Sequence, residues 1–92
     1  MEIPSSFKIG AQEYKVEIVD ELEDNYGEYS YTPPVIQIAR KSCGETIPPN
    51  QMEATFWHEL FHCFQYMFDC TTDEAQAQSF SNFMMEFLES KK

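Results

Sequence analysis

The spacing of apolar residues divides the chain at Ile47-Pro48-Pro49-Asn50 into a β-rich front and a helical back. In the front, Phe7-Lys8-Ile9 and Tyr14-Lys15-Val16-Glu17-Ile18-Val19 predict two strands, and Gly10-Ala11-Gln12-Glu13 between them predicts a hairpin turn. Tyr14, Val16 and Ile18 alternate with Lys15, Glu17 and Val19, which predicts one buried face. Residues 20–25 are acidic and predict a loop. Tyr26 to Tyr31, with aromatics at 29 and 31, predicts a short strand, and Val35-Ile36-Gln37-Ile38-Ala39 after Pro33-Pro34 predicts another. There is no internal repeat and no low-complexity tract.

Behind the prolines, Asn50 suits a helix N-cap, and Glu53 three residues later completes a capping-box pattern. Nothing breaks a helix over residues 50–69, which allows about five turns, or ~30 Å. Cys70-Thr71-Thr72 reads as a short connection to a second helix over residues 73–89. There Phe80, Phe83, Met84, Phe87 and Leu88 fall at the spacing of a core-facing stripe. A short connection predicts antiparallel neighbours. The expected fold is α+β: one domain over residues 1–92, in which a small antiparallel or mixed sheet of three to four strands packs on the two helices.

Length and charge narrow the function. A domain of 92 residues buries only about 60–65% of its unfolded surface, so its stability is marginal and a staple such as a metal would help. Eight Phe, five Tyr and one Trp give the core large side chains. Sixteen acidic residues stand against six basic ones, which argues against nucleic acid and against an anionic membrane surface as partners. Near a cleft the same charge would favour cationic substrates. No apolar run approaches the ~20 residues of a membrane span. The first residues, Met1-Glu2-Ile3-Pro4-Ser5-Ser6, lack a signal-peptide layout. The three cysteines, Cys43, Cys63 and Cys70, have no framework spacing. Reduced, mostly buried thiols in a cytoplasmic protein are the expectation.

The chemistry sits in His58-Glu59-Leu60-Phe61-His62. On a helix the two imidazoles lie about 40° apart and one turn up, so they can share one metal ion. Glu59 lies on the flank, where it can reach a metal-bound water without being a ligand. The plainer reading is two ordinary histidines on a buried helix. Projection at about 100° per residue weakens it: Gln51, Thr55, His58, His62, Gln65 and Asp69 share an arc of about 80°. Met52, Phe56, Trp57, Leu60, Phe61, Cys63, Phe64, Met67 and Phe68 make up most of the rest. Both histidines thus lie in the one polar seam of an otherwise apolar helix.

A catalytic zinc usually takes three protein ligands and keeps one position for water. Asp69 is about 10 Å along the helix from His62, and Cys63 points about 100° away. The second helix is the better source, with Glu74 in its first turn as the choice. Glu74 could instead cap that helix, since Thr71-x-x-Glu74 also fits a capping box. In a tight hairpin the residues level with His62 lie nearer Gln78 to Phe80. Glu74 therefore reaches only if the first helix ends early or the helices cross at a wide angle.

His58-Glu59-x-x-His62 followed by Glu74-x-x-Ala77-Gln78-x-Phe80-Ser81 resembles the gluzincin-type zinc peptidases, closest to minimal phage- and plasmid-borne members and the ImmA/IrrE-like group. The resemblance covers residues 55–88, with Gln78 and Ser81 where that group has Asn and Ala; the front matches only in layout. It implies a mini-zincin fold, Zn2+ bound by His58, His62 and Glu74, and Glu59 as catalytic acid/base in peptide-bond hydrolysis. It assigns no oxyanion-stabilising residue. The substrate would be a peptide or protein, laid along an exposed strand edge at Val35–Ala39 or Tyr29–Thr32. A homodimer or another partner is one way for so short a chain to complete its cleft. Two other readings remain: a zinc-stabilised, non-catalytic interaction module, and a metal-free adaptor. Two His and a carboxylate also suit other divalent ions.

Overall fold

A computed structural model describes residues 2–9, 12–23, 25–67 and 74–90. Five strands, β1 (Ser6–Ile9), β2 (Gln12–Glu21), β3 (Gly27–Tyr31), β4 (Pro34–Ser42) and β5 (Glu45–Thr46), precede helices α1 (Pro49–Met67) and α2 (Glu74–Ser90). The α+β expectation holds, with one strand more than expected. The sheet is mixed, in the order β1-β2-β4-β3, with β5 also on β4. β1 and β2 form the expected hairpin, Ile9 opposite Gln12. β4 then lies between β2 and β3, parallel to the first and antiparallel to the second. Parallel neighbours need a long connection, and here β3 is part of it. β2 extends through Asp20 and Glu21, where the acidic run predicted a loop: Glu21 pairs with Lys41, and Asp20 meets Arg40 at 3.3 Å.

β5 was not expected, because a two-residue strand carries no periodicity. It follows a two-residue turn in which Cys43 has φ 51° and Gly44 φ 79°. Positive φ at both positions is what a tight hairpin turn requires, and Gly44 meets it without a Cβ penalty. Cys43 is therefore exposed, against the expectation of buried thiols, whereas Cys63 is fully buried. Burial first and the Glu59 charge second push the Cys63 thiol up to about 12, against a lowering bond with Tyr14, so it stays protonated and unreactive.

The core lies between the sheet and α1. Tyr14, Ile36, Ile38, Phe56 and Cys63 form its buried centre, with Phe7, Val16, Tyr29 and Leu60 packed against it. Phe7 stacks on Tyr14 with ring centroids 5.3 Å apart. Tyr14 and Val16 thus point inward as their alternation predicts, but Ile18 is exposed. α1 packs on β3 and β4, and α2 packs on α1.

α1 starts differently from the sequence expectation. The Pro48 carbonyl accepts from Met52 N–H at 3.1 Å, so Pro48 is the cap and Pro49 the first helical residue, where a missing N–H costs nothing. Asn50 lies inside the helix, and Glu53 is buried. In α2 the inward positions are Ala77 and Ser81, both buried, and Ser81 Oγ donates to the Ala54 carbonyl at 2.6 Å. Small side chains at this spacing let the helices approach closely. Phe80 packs on Trp57 and Phe61. Asp69, Thr71 and the 70–72 connection lie outside the described residues, as do the side chains of Phe83, Phe87 and Leu88.

Candidate metal centre

The polar seam of α1 faces inward. Thr55, Glu59, His62 and Gln65 are all buried, while Phe64 on the opposite side is exposed. A helix normally turns its polar stripe to water; here that stripe borders a cleft of about 440 Å³ between α1, the start of α2 and β3. His58, Glu59, His62 and Glu74 all line it.

His58 Nε2 hydrogen-bonds to Glu74 Oε2 at 2.8 Å. His62 Nε2 lies 2.8 Å from Glu74 Oε1, yet the pair lacks hydrogen-bond geometry and that buried nitrogen has no partner. One candidate ligand atom from each of His58, His62 and Glu74 lies within 4.8 Å of the others. Glu74 is the first residue of α2 and its side chain is mostly exposed, so a long, free carboxylate reaches back to both rings. Among the described residues these three form the group able to hold a metal ion. The fit is chemical as well as spatial. An unpaired buried imidazole nitrogen costs free energy, and a divalent cation would satisfy it together with the carboxylate.

The electrostatics agree. Burial alone would raise the Glu74 pKa, but the hydrogen bond to His58 and the neighbouring His62 outweigh it, and the carboxyl is held below its ordinary value. Glu59 is the opposite case. It belongs to no ligand set, and burial pushes its carboxyl up, with only partial relief from His58 and His62. Two carboxylates in one cleft are thereby driven apart, Glu74 toward the anion and Glu59 toward the proton.

Three supporting residues were not predicted. Gln65, placed only as a seam member from sequence, is 1% exposed, and its Oε1 accepts from His62 Nδ1 at 3.0 Å. With the proton on Nδ1, the Nε2 lone pair is free for a metal. Gln65 Nε2 in turn donates to Gln76 Oε1 on α2 at 3.4 Å. Gln65→Leu is expected to weaken metal binding by about 10- to 100-fold while the fold is kept; competition with a chelator of known affinity measures it, and an unchanged affinity would remove Gln65 from the site. Tyr29 stacks on His62 at 5.3 Å. Gly27 lets β3 approach α1: a Cβ there would lie 2.5 Å from Thr55 Cγ2 and 3.1 Å from Glu59 Cγ. The i, i+3 spacing of His62 and Gln65 was a signal available in the sequence; Tyr29 and Gly27, on a distant strand, gave none.

Of the two proposed strand edges, Val35–Ala39 is excluded: it belongs to β4, which is paired on both sides. Tyr29–Tyr31 lies on β3 at the end of the sheet, beside the cleft. No described helix is long and apolar enough to cross a membrane. Comparison with known protein families, curated proteins and solved structures finds nothing that matches this chain.

Proposed function

We propose that the chain is a metal-dependent peptidase, with zinc as the preferred ion, that hydrolyses a peptide bond in a peptide or protein substrate. One observation carries the reading: one ligand atom from each of two imidazoles and a carboxylate lies within 4.8 Å of the others, and a second, buried carboxylate that is not needed as a ligand lines the same cleft. His58, His62 and Glu74 would hold the ion. Bound there, it would supply a Lewis acid that acidifies water and polarises a carbonyl. Glu59 would accept the proton of the attacking water and return it to the leaving amine, a role suited to a carboxylate whose proton affinity is raised by burial. Gln65 would hold the His62 ring, and the open edge of β3 would take the substrate as an added strand.

A second reading has its own support. Phe7, Phe56, Trp57, Leu60, Phe61 and Phe80 line an apolar groove of about 650 Å³ on the other side of α1, which suits a zinc-stapled interaction module. One experiment separates the two. Zinc-loaded protein is incubated with peptides from a whole proteome, then again after chelation and after zinc is returned. Fragments that disappear on chelation and return with zinc are expected. Identical profiles in all three conditions would overturn the peptidase reading and leave the interaction module.

A further inference from the structure

A row of polar side chains crosses three strands on the face of the sheet away from α1. Glu17 on β2 is level with Gln37 on β4, and Gln37 is level with Glu28 on β3. Gln37 Nε2 donates to Glu17 Oε1 at 3.1 Å. On β3, Tyr29 turns toward α1 and stacks on His62, and a side chain at Gly27 would run into Thr55 and Glu59. Alternation then turns Glu28 to the far face, in line with Gln37 and Glu17.

The backbone of β3 alternates as well. Ala39 N–H donates to the Tyr26 carbonyl at 2.8 Å, so residues 26, 28 and 30 address β4 and the polar groups of Gly27, Tyr29 and Tyr31 address the open edge. Tyr31 lies opposite Pro34, which has no N–H to give, as this alternation requires. An extended peptide pairing with that edge becomes the next strand, and the polar row continues onto it at the position level with Glu28.

Glu28 is exposed, and the amide of Asn25, at 3.3 Å, is a neutral neighbour. Glu59 and Glu74 line the cleft, as does the segment of residues 25–29 that carries Glu28, whereas none of the described Lys or Arg residues does; the chain as a whole carries a net charge of −10. An opposite charge directly across a strand pair is favourable and a like charge unfavourable.

We propose that the open edge of β3 beside the cleft selects an extended peptide carrying a lysine or arginine at the position level with Glu28, on the face of the sheet away from α1, and that Glu28 is the residue that sets this preference. The inference rests on the peptidase reading, since it concerns the substrate of the same cleft. A free N-terminal amine would offer the same cationic chemistry, and acetylated peptides separate the two sources.

The test measures binding of N-acetylated peptide libraries, scanned with Lys, Arg, Ala or Glu at each position, to zinc-loaded Glu59→Gln protein, alone and combined with Glu28→Gln or Glu28→Lys. One position is expected to favour Lys or Arg over Ala by about two- to fivefold, the range of an exposed ion pair. The preference should vanish in Glu28→Gln and turn toward Glu in Glu28→Lys. A basic preference that survives Glu28→Gln, one seen only with free N-termini, equal binding of all peptides, or no binding would each overturn the proposal. Cleavage of the same peptides by wild-type protein keeps the two readings distinct. Glu28-dependent binding without cleavage overturns the peptidase alone, and cleavage without a Glu28-dependent preference overturns the specificity alone.

Discussion

Glu59→Gln is expected to retain its zinc and to lose cleavage by about 100- to 10,000-fold, the range for removal of a general base. Gln has nearly the shape of Glu, so the packing beside Thr55 and Gly27 is kept. Glu59 is 8% exposed, and the dominant influence on its carboxyl is the cost of burying charge. A neutral amide avoids that cost, so the variant should be at least as stable as the wild type. A purely structural Glu59 would therefore be improved by the change. Metal analysis and cleavage rates on the same preparations check this. Wild-type rates in Glu59→Gln would remove the acid/base role, and joint loss of zinc and activity would make Glu59 a support of the site.

Removal of the metal is expected to lower the melting temperature by about 15–30 °C. An ion at 1,000 times its dissociation constant stabilises the folded state by about 4 kcal/mol, and each kcal/mol shifts a domain of this size by about 4–8 °C. The site gives a reason for a large share of this. His62 Nε2 is buried without a hydrogen-bond partner, and the ion would satisfy it while tying the start of α2 to α1. His58→Ala should melt like the chelated wild type and should no longer respond to zinc. His58 suits this better than His62, because it is less buried and leaves a smaller cavity. Glu74→Ala should lose zinc affinity and Glu13→Ala, on exposed β2, should not; Glu53 is buried and makes a poor control. Melting curves with saturating zinc and after verified chelation decide it. Coincident curves would contradict a metal that stabilises the fold.

Most of the elements could be read from local pattern. The β1–β2 hairpin, the β3 and β4 segments and both helices follow from spacing within a few residues, because a strand or helix face repeats over short distances. Limits set by other strands were missed. β2 continues through an acidic run because β4 pairs with it, and β5 exists because a turn at Cys43-Gly44 folds it back on β4. The helix cap lies at Pro48, two residues before the expected Asn50, because the path of the chain out of the sheet sets where the helix begins.

The sequence by itself determined the pair of metal-directed imidazoles and the carboxylate between them, because four-residue spacing on a helix fixes their relative direction wherever the helix is placed. It also determined that they lie in a polar seam. Only the tertiary structure decided that this seam is buried and borders a cleft, since burial depends on which face the sheet and α2 cover. Glu74 could be named but not placed: its reach depends on how α2 lies against α1, which the Ala54–Ser81 and Gln65–Gln76 contacts reflect. Tyr29 and Gly27 were out of range of any local argument. They meet His62 and Glu59 across more than thirty residues of chain, and such contacts arise from the order in which strands pair, a property of the whole sheet.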